Sequence, residues 1–213
     1  MKNYTPITID DIVFQSAVEE TKVRNIVSGK ISMPAHGITG VILHGATGTG
    51  KTTLARILPQ AIEQNKQSGC IVPYISWHNC EAPNNGVQLI NSIRTEISLV
   101  ATSSSGLHYV VLNEADNLTP SALRQLKTVM EAHNAIFILT TNEVGVFDPA
   151  LRNRCEEISF NPTDPGIWLP RLRHVLRTEQ ADESYSDAFL ESLVKTSKFS
   201  GRHILKQMEA LVG

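Results

Sequence analysis

Short apolar runs alternate with segments of helical periodicity along most of the chain. The apolar runs, each with the length and composition of a buried strand, occupy residues 40–44, 71–76, 107–112, 135–140 and 157–160. Apolar side chains recur every three or four residues in the segments 16–28, 53–58, 87–100 and 120–130. This alternation predicts an α/β fold, a five-stranded parallel sheet between helices. Because Pro73 cannot donate a ladder hydrogen bond, the second strand should lie at or near an edge of the sheet.

The pattern changes after residue 160. Residues 161–166 contain two prolines and a glycine, and helical periodicity continues beyond them in the segments 167–179, 186–195 and 201–212. The sequence therefore predicts a core domain of residues 1–162 and a small helical lid of residues 163–213. Since the lid is too short to hold much core alone, we expect it to dock against the sheet domain.

A glycine-rich segment joins the first predicted strand to the helix after it. Its residues are Gly45, Ala46, Thr47, Gly48, Thr49, Gly50, Lys51 and Thr52, followed by Thr53. Two glycines that bracket four residues before Lys and Thr form the phosphate-binding P-loop pattern. Successive backbone N–H groups would converge on phosphate, Lys51 would contact the β- and γ-phosphates, and the Thr52 hydroxyl would ligate Mg²⁺. The alternative, a turn that matches the pattern by chance, is disfavoured by the strand before it and the helix after it.

The third predicted strand ends in the sequence Asn113-Glu114-Ala115-Asp116. Hydrolysis of a bound nucleotide requires such a strand end, which holds Mg²⁺ and orients water, and we expect this strand to lie beside the P-loop strand. Glu114 is the candidate general base for water. Asn113 occupies the Mg²⁺ position, where an aspartate would be expected. The alternative is an ordinary strand-to-helix turn that carries two acidic residues.

Composition narrows the choice of partners and compartment. The net charge of −2 and the pI near 6.4 argue against a bulk polyanion binder, although a local basic face remains compatible with nucleic acid. The cysteines Cys70, Cys80 and Cys155 form no CxxC pair, which disfavours a zinc module and suits a reducing compartment. The first residues lack the apolar segment of a signal peptide, and no apolar run is long enough to span a bilayer. We therefore expect a cytoplasmic protein without a membrane partner.

Several motifs together resemble the AAA+ ATPases, and within them the clamp-loader group, the small subunits of replication factor C and the bacterial polymerase III loader. The resemblance rests on residues 113–119, 130–131, 139–142, 151–155 with Phe160, and 200–202, in the order of the family. It covers about residues 9–213 of the chain. It implies ATP and Mg²⁺ as cofactors and other AAA+ subunits, DNA and a sliding clamp as partners.

The resemblance also implies a role for single residues. Asn142 would be sensor 1, which polarises the water or the γ-phosphate, and Arg202 would be sensor 2, which touches the γ-phosphate from the same chain. Arg154 would be an arginine finger that reaches the nucleotide of the neighbouring subunit. Ile12 and Val13 resemble the adenine-contacting segment. The alternatives are a loop cap at Asn142, a surface salt bridge at Arg154, a solvated helix residue at Arg202, and core positions at Ile12 and Val13.

Three departures from the family pattern qualify the functional prediction. Asn113 removes a charge from the Mg²⁺ shell and should slow turnover, Asn153 replaces the serine of the Ser-Arg-Cys motif, and we expect no collar domain after the lid. We therefore predict an ATPase that acts on DNA as a clamp-loader-like subunit in DNA replication. Helicase loading and transposition targeting are rivals within this class. A nucleotide-gated oligomeric assembly with slow or vestigial hydrolysis is the rival from another class.

Overall fold

The structure is a computed structural model that describes residues 4–66, 73–179 and 184–212. Thirteen helices and strands of these ranges carry labels in chain order. They are α1 (Ala17–Val27), β1 (Gly40–His44), α2 (Lys51–Lys66), β2 (Ile75–Asn79), α3 (Val87–Ile97), β3 (His108–Asn113), α4 (Pro120–Val129), β4 (Ala135–Thr141), α5 (Pro149–Arg152), β5 (Cys155–Ser159), α6 (Leu169–Thr178), α7 (Asp187–Thr196) and α8 (Gly201–Val212). The α/β prediction is confirmed.

The strands form one parallel sheet in the order β2-β3-β4-β1-β5. Because all strands run the same way, their carboxyl ends meet at one edge of the sheet, where ligands of open α/β folds bind. Strand β1 lies between β4 and β5 and its first four residues are buried, so the loop after His44 starts at that edge with a strand on either side. The loop after β1 therefore lies where open α/β folds bind their ligands.

Alternation along the strands creates a separate core on each face of the sheet. On one face, strand residues such as Val41, Leu43 and Val111 pack with α1 and α2. On the other face, residues such as Ile42 and Phe137 pack with α3 and α4. Strand β4 is buried at every position, as expected for a strand that is covered on both sides. Helices therefore cover both faces, as the sequence predicted.

The C-terminal helices α6, α7 and α8 pack around an apolar cluster of their own. Trp168, Leu172, Leu190, Ile204 and Met208 are among its buried members. Tyr4 and Val13 from the N-terminal segment pack against this cluster and connect it to the rest of the chain. None of the helices in the three described ranges combines the length and the hydropathy that a bilayer crossing requires.

Two expectations about the strands need correction. The second strand covers 75–79 instead of 71–76: Pro73 and Tyr74 precede it, and residues 71 and 72 lie outside the described residues. The strand contains the polar residues Ser76, His78 and Asn79, so it does not form the apolar run by which the other strands were predicted. It does lie at an edge of the sheet, as predicted.

The second correction concerns the order of the strands. Strand β3 does not lie beside β1, because β4 is inserted between them and pairs with both. The acidic strand end still reaches the P-loop region, since α2 starts at this edge and carries Thr52 to within 3.1 Å of Asn113.

Candidate functional site

The loop between β1 and α2 has the backbone of an anion cradle. Gly45, Gly48 and Gly50 adopt φ values of +133°, +81° and +113°, which side chains rarely tolerate. A Cβ atom on Gly45 would lie 2.7 Å from the carbonyl carbon of Phe160, so the loop also lies too close to the chain after β5 for a larger residue. The free N–H groups at the start of α2 add the positive end of a helix dipole.

Lys51 lies at the centre of this loop and is only 7% exposed. Its ammonium group donates to the carbonyl oxygens of Gly45 and Ala46, each at 2.7 Å, and to the Asn142 side-chain oxygen at 3.1 Å. The same Asn142 oxygen accepts from the Thr47 hydroxyl at 3.3 Å. The structure therefore brings the predicted phosphate-binding lysine and the predicted sensor 1 residue into direct contact.

The charge of Lys51 is set by opposing influences. Burial lowers the pKa of its ammonium group, whereas the nearby carboxylates of Asp116 and Glu114 raise it. A buried ammonium is costly unless it has partners, and the three oxygens above supply them. Phosphate oxygens would offer the same group stronger, charged acceptors.

Asn113 and Thr52 supply neighbouring oxygen ligands at the end of β3. The Thr52 hydroxyl donates to the Asn113 side-chain oxygen at 3.1 Å, and the Thr140 hydroxyl donates to the same oxygen at 3.0 Å. Hydroxyl and amide oxygens are hard ligands of the kind that Mg²⁺ accepts, usually together with water and phosphate. In the described parts of the chain no group of three or more His, Cys, Asp or Glu residues could hold a metal. The pair therefore fits a Mg²⁺ ion that would also have phosphate and water ligands.

Glu114 follows in an unusual backbone conformation. Its φ of +57° is left-handed, and its N–H donates to the Thr140 hydroxyl at 2.9 Å. This bond links the ends of β3 and β4. The residue lines the same cavity as the P-loop, which is where the sequence predicted a general base.

A cavity of about 540 Å³ lies between the P-loop, the N-terminal segment and the C-terminal helices. Seven residues of the predicted nucleotide-binding loop line it: Thr47, Gly48, Thr49, Gly50, Lys51, Thr52 and Thr53. Gly45 and Ala46 lie behind them and accept from Lys51. Ile12, Val13, Asn142 and Arg202 are also at the wall. Of the predicted same-chain residues, Gly45, Ala46 and Asn113 do not line the cavity, and each of them contacts a residue that does.

Sequence reasoning missed the residues that close the far end of the cavity. Arg171 of α6 donates to the Asp11 carboxylate at 2.7 Å and to the Tyr4 carbonyl oxygen at 3.1 Å. Burial and a hydrogen bond with Glu179 raise the pKa of Tyr4 to about 12. These contacts tie the N-terminal segment to the C-terminal helices around the cavity. No local motif marks them, because each pairs residues more than a hundred positions apart.

Arg154 lies at the end of the sheet where the strands begin, opposite the carboxyl ends that adjoin the P-loop. Its carbonyl oxygen accepts from the N–H groups of Thr39 and Gly40, at the start of β1, at 2.9 and 3.1 Å. Five residues of β1 separate that point from the P-loop, roughly 16 Å at the usual strand rise. The guanidinium donates to Glu131 and to the carbonyl oxygen of Ala150, both at 2.8 Å. Arg154 therefore does not belong to the site of its own chain.

The parallel sheet with helices on both faces, together with the loop between β1 and α2, defines a P-loop nucleotide-binding protein. Residues 41–163 match the ATPase family associated with various cellular activities (AAA). This match covers more than half of the chain, which belongs to that family.

Individual relatives agree with this assignment. The chain is 26% identical to replication factor C subunit 5 of Homo sapiens over 99% of its own length and 59% of that protein. It is 30% identical to replication factor C small subunit 1 of Pyrobaculum arsenaticum over 84% of its length and 51% of that protein. The chain therefore spans a little more than half of the length of these relatives. The Thermotoga maritima RuvB Holliday junction branch migration motor shares the fold, with a TM-score of 0.69 at 16% identity over 97% of this chain and 64% of that one.

Proposed function

We propose that the chain binds ATP with Mg²⁺ in the cavity between the P-loop and the C-terminal helices and hydrolyses it slowly. The observation that carries this proposal is the convergence of Lys51, Asn142, Thr52, Asn113 and Glu114 at the carboxyl edge of the sheet. Each group is of the type that a phosphoryl transfer site needs.

The residues divide the work by their chemistry. Lys51 exchanges its carbonyl partners for phosphate oxygens, and the P-loop N–H groups hold the same phosphates. Asn142 and Arg202 contact the γ-phosphate region, where fixed donors stabilise developing negative charge. Glu114 accepts a proton from the attacking water. Bound Mg²⁺ would neutralise phosphate charge, with Thr52 and Asn113 as its protein partners.

We further propose that Arg154 completes the site of a second subunit. Its location at the amino edge of the sheet supports this role, because a residue there faces away from its own nucleotide. The ion pair with Glu131 holds the guanidinium near the surface, with 28% of the side chain exposed. An arginine finger supplied in trans is worth about 10³ or more in rate, so hydrolysis should depend on assembly.

The client is inferred from the relatives. The names of several describe replication factor C subunits, which supports a clamp-loader-like role in DNA replication with DNA and a sliding clamp as partners. We keep the division into a core of residues 1–162 and a lid of residues 163–213, and a cytoplasmic location, as parts of the same proposal.

A nucleotide-gated assembly is the second candidate, and Asn113 favours it. A neutral amide in the Mg²⁺ shell offsets less of the ion's charge than a carboxylate does. ATP would then order an oligomer that persists because turnover is slow.

Phosphate release separates the two candidates. We expect slow steady-state release from ATP–Mg²⁺ that rises with protein concentration and with added primed DNA, and no release from a folded Lys51→Ala variant. Light scattering with a non-hydrolysable analogue should show oligomers in the wild type. Oligomers without any phosphate release would support the assembly function and contradict the enzyme. Absence of both ATP binding and ATP-dependent oligomers would contradict both.

A further inference from the structure

The side chain of Trp77 determines how a neighbouring amide points. Trp77 and Asn79 lie two residues apart on the edge strand β2, and the indole N–H donates to the Asn79 side-chain oxygen at 3.0 Å. An indole N–H can only donate, so it requires an acceptor in front of it. The Asn79 amide is therefore turned with its oxygen toward Trp77.

The orientation of Asn79 is passed on to Asn113. The two residues are direct partners in the register of β2 and β3. The Asn113 side-chain nitrogen donates to the same Asn79 oxygen at 3.2 Å. Since that oxygen can only accept, Asn113 must present its NH₂ group to β2 and its own oxygen to the other side.

The hydroxyl groups on the other side agree with this orientation. Thr52 and Thr140 both donate to the Asn113 oxygen, at 3.1 and 3.0 Å. Thr140 accepts from the N–H of Glu114 at 2.9 Å, which leaves its own proton free for Asn113. A single assignment of donors and acceptors therefore satisfies every hydrogen bond in the series from the Trp77 indole to Thr52.

An aspartate at position 113 would be incompatible with this series of hydrogen bonds. It has no N–H for Asn79, and one of its oxygens would face the Asn79 oxygen at the distance of the present hydrogen bond, 3.2 Å. Rotation of the Asn79 amide would relieve that repulsion but would bring its NH₂ group against the indole N–H. Either arrangement leaves two like groups opposed.

We propose that Trp77 and Asn79 are positioning residues that aim the Asn113 amide oxygen at Thr52, so that position 113 is matched to asparagine. The assignment of this oxygen to Mg²⁺ rests on the proposed function. The side-chain arrangement itself does not, and it can be tested without nucleotide. On this view Asn113, Asn79 and Trp77 are matched to one another, and a carboxylate at position 113 requires a second substitution that frees Asn79.

Arg56 offers a control for the contacts of Trp77. It lies on α2, one turn beyond Thr52, and its guanidinium carbon is 4.0 Å from the centroid of the indole ring. A Trp77→Phe substitution keeps an aromatic ring beside Arg56 but removes the N–H donor. An Arg56→Ala substitution removes the cation over the ring but keeps the donor.

The first experiment is a thermal-unfolding cycle on the nucleotide-free chain with Asn113→Asp, Trp77→Phe and the double variant. We expect Asn113→Asp alone to lower Tm by about 2–4 °C, the shift of a modest destabilisation in a chain of this size. In the Trp77→Phe background the same change should cost little or raise Tm, because Asn79 can then rotate and donate to the carboxylate. In the Arg56→Ala background Asn113→Asp should cost as much as in the wild type.

The second experiment measures the Mg²⁺ concentration that half-saturates metal-dependent binding of a non-hydrolysable ATP analogue. The double variant should need at least about threefold less Mg²⁺ than Asn113→Asp alone. Trp77→Phe alone should need more Mg²⁺ than the wild type, because Asn79 no longer holds the Asn113 oxygen toward Thr52. Equal Tm losses from Asn113→Asp in the wild-type and Trp77→Phe backgrounds would overturn the proposal. So would a single Asn113→Asp variant that binds Mg²⁺ as tightly as the double variant. Failure of all variants and of the wild type to bind the analogue would instead contradict the proposed function, and the Tm cycle would still decide the arrangement.

Discussion

The backbone N–H of Gly201 donates to the carbonyl oxygen of Gly48 at 2.9 Å. This bond joins the first residue of α8 to the middle of the P-loop, and Arg202 follows directly. A Cβ atom on Gly201 would lie 2.9 Å from the Trp168 ring, so α8 starts at a point where no side chain fits. The C-terminal helices are therefore joined to the phosphate-binding loop by a direct backbone contact.

Gly48→Ala should disturb this contact and weaken ATP binding by about tenfold or more, 1.4 kcal/mol being a factor of ten in affinity. The new Cβ would lie 2.5 Å from the Ser200 hydroxyl oxygen, and the φ of +81° is unfavourable for alanine. Isothermal titration with ATP–Mg²⁺ measures the loss.

Gly106→Ala is the matched control for that variant. Gly106 has a similar φ of +73°, but a Cβ added there would meet no atom within 4 Å, so the backbone strain is kept without the contact. Both variants should lose stability by about 1–2 kcal/mol, and only Gly48→Ala should lose affinity. Equal ATP affinity in the two variants would show that the close approach of Gly48 to Ser200 and Gly201 has no role in binding.

Lys51→Ala should abolish detectable ATP binding while the fold persists. Within the described residues, the ammonium donates to the loop and to Asn142, and none of these bonds is part of a strand pairing. Binding of a fluorescent ATP analogue, with circular dichroism as the check on folding, tests this. Lys66→Ala, at the exposed end of the same helix, should bind as the wild type does. A folded Lys51→Ala variant with wild-type affinity would contradict the assignment of the loop.

Glu114→Gln should keep ATP affinity and lower the rate of hydrolysis by about 10²–10⁴, the usual contribution of a general base. Glutamine preserves the size of the side chain and removes its ability to accept a proton. Single-turnover phosphate release measures the effect. Glu143→Gln at the end of β4 is the control, since Glu143 is exposed and is not among the residues that line the cavity. Equal rates in the two variants would exclude Glu114 as the base.

Arg154→Ala should keep nucleotide binding and lose hydrolysis, because the guanidinium is absent from its own cavity and would act on a neighbour. Mixing this variant with Glu114→Gln should restore part of the activity at interfaces that pair an intact cavity with an intact arginine. Phosphate release across a series of mixing ratios measures the recovery. Arg152→Ala removes a nearby guanidinium that is paired with Glu157 and should hydrolyse ATP normally. A mixture that forms oligomers and never exceeds the sum of its parts would refute action in trans.

The sequence predicted the elements that depend on local pattern. The P-loop and the strand before it follow from residues that are near each other in the chain. The sequence placed the edge strand β2 too early because one side of the strand carries the polar residues Ser76 and His78. These two side chains hydrogen-bond each other, and Ser76 also donates to Glu96. A half-polar strand has no apolar run to reveal it.

Contacts between distant segments could not be predicted in the same way. The partners of Asn113 at Asn79 and Thr140 are 34 and 27 residues away, and only the strand register brings them together. The order of β4 between β1 and β3 likewise depends on how the crossovers pack, not on any single run of residues. The one feature of the sequence that could have indicated these contacts is a polar residue at the end of a strand, and Asn79 is such a residue.

The placement of Arg154 at the amino edge and of the P-loop at the carboxyl edge has a consequence for symmetry. In an assembly where each subunit gives Arg154 to one neighbour and receives the arginine of another, the subunits associate head to tail. In a closed ring the number of complete sites then equals the number of subunits. In an open arc it is one fewer, which leaves one terminal subunit with a nucleotide but no finger, and the other with a finger that has nothing to touch.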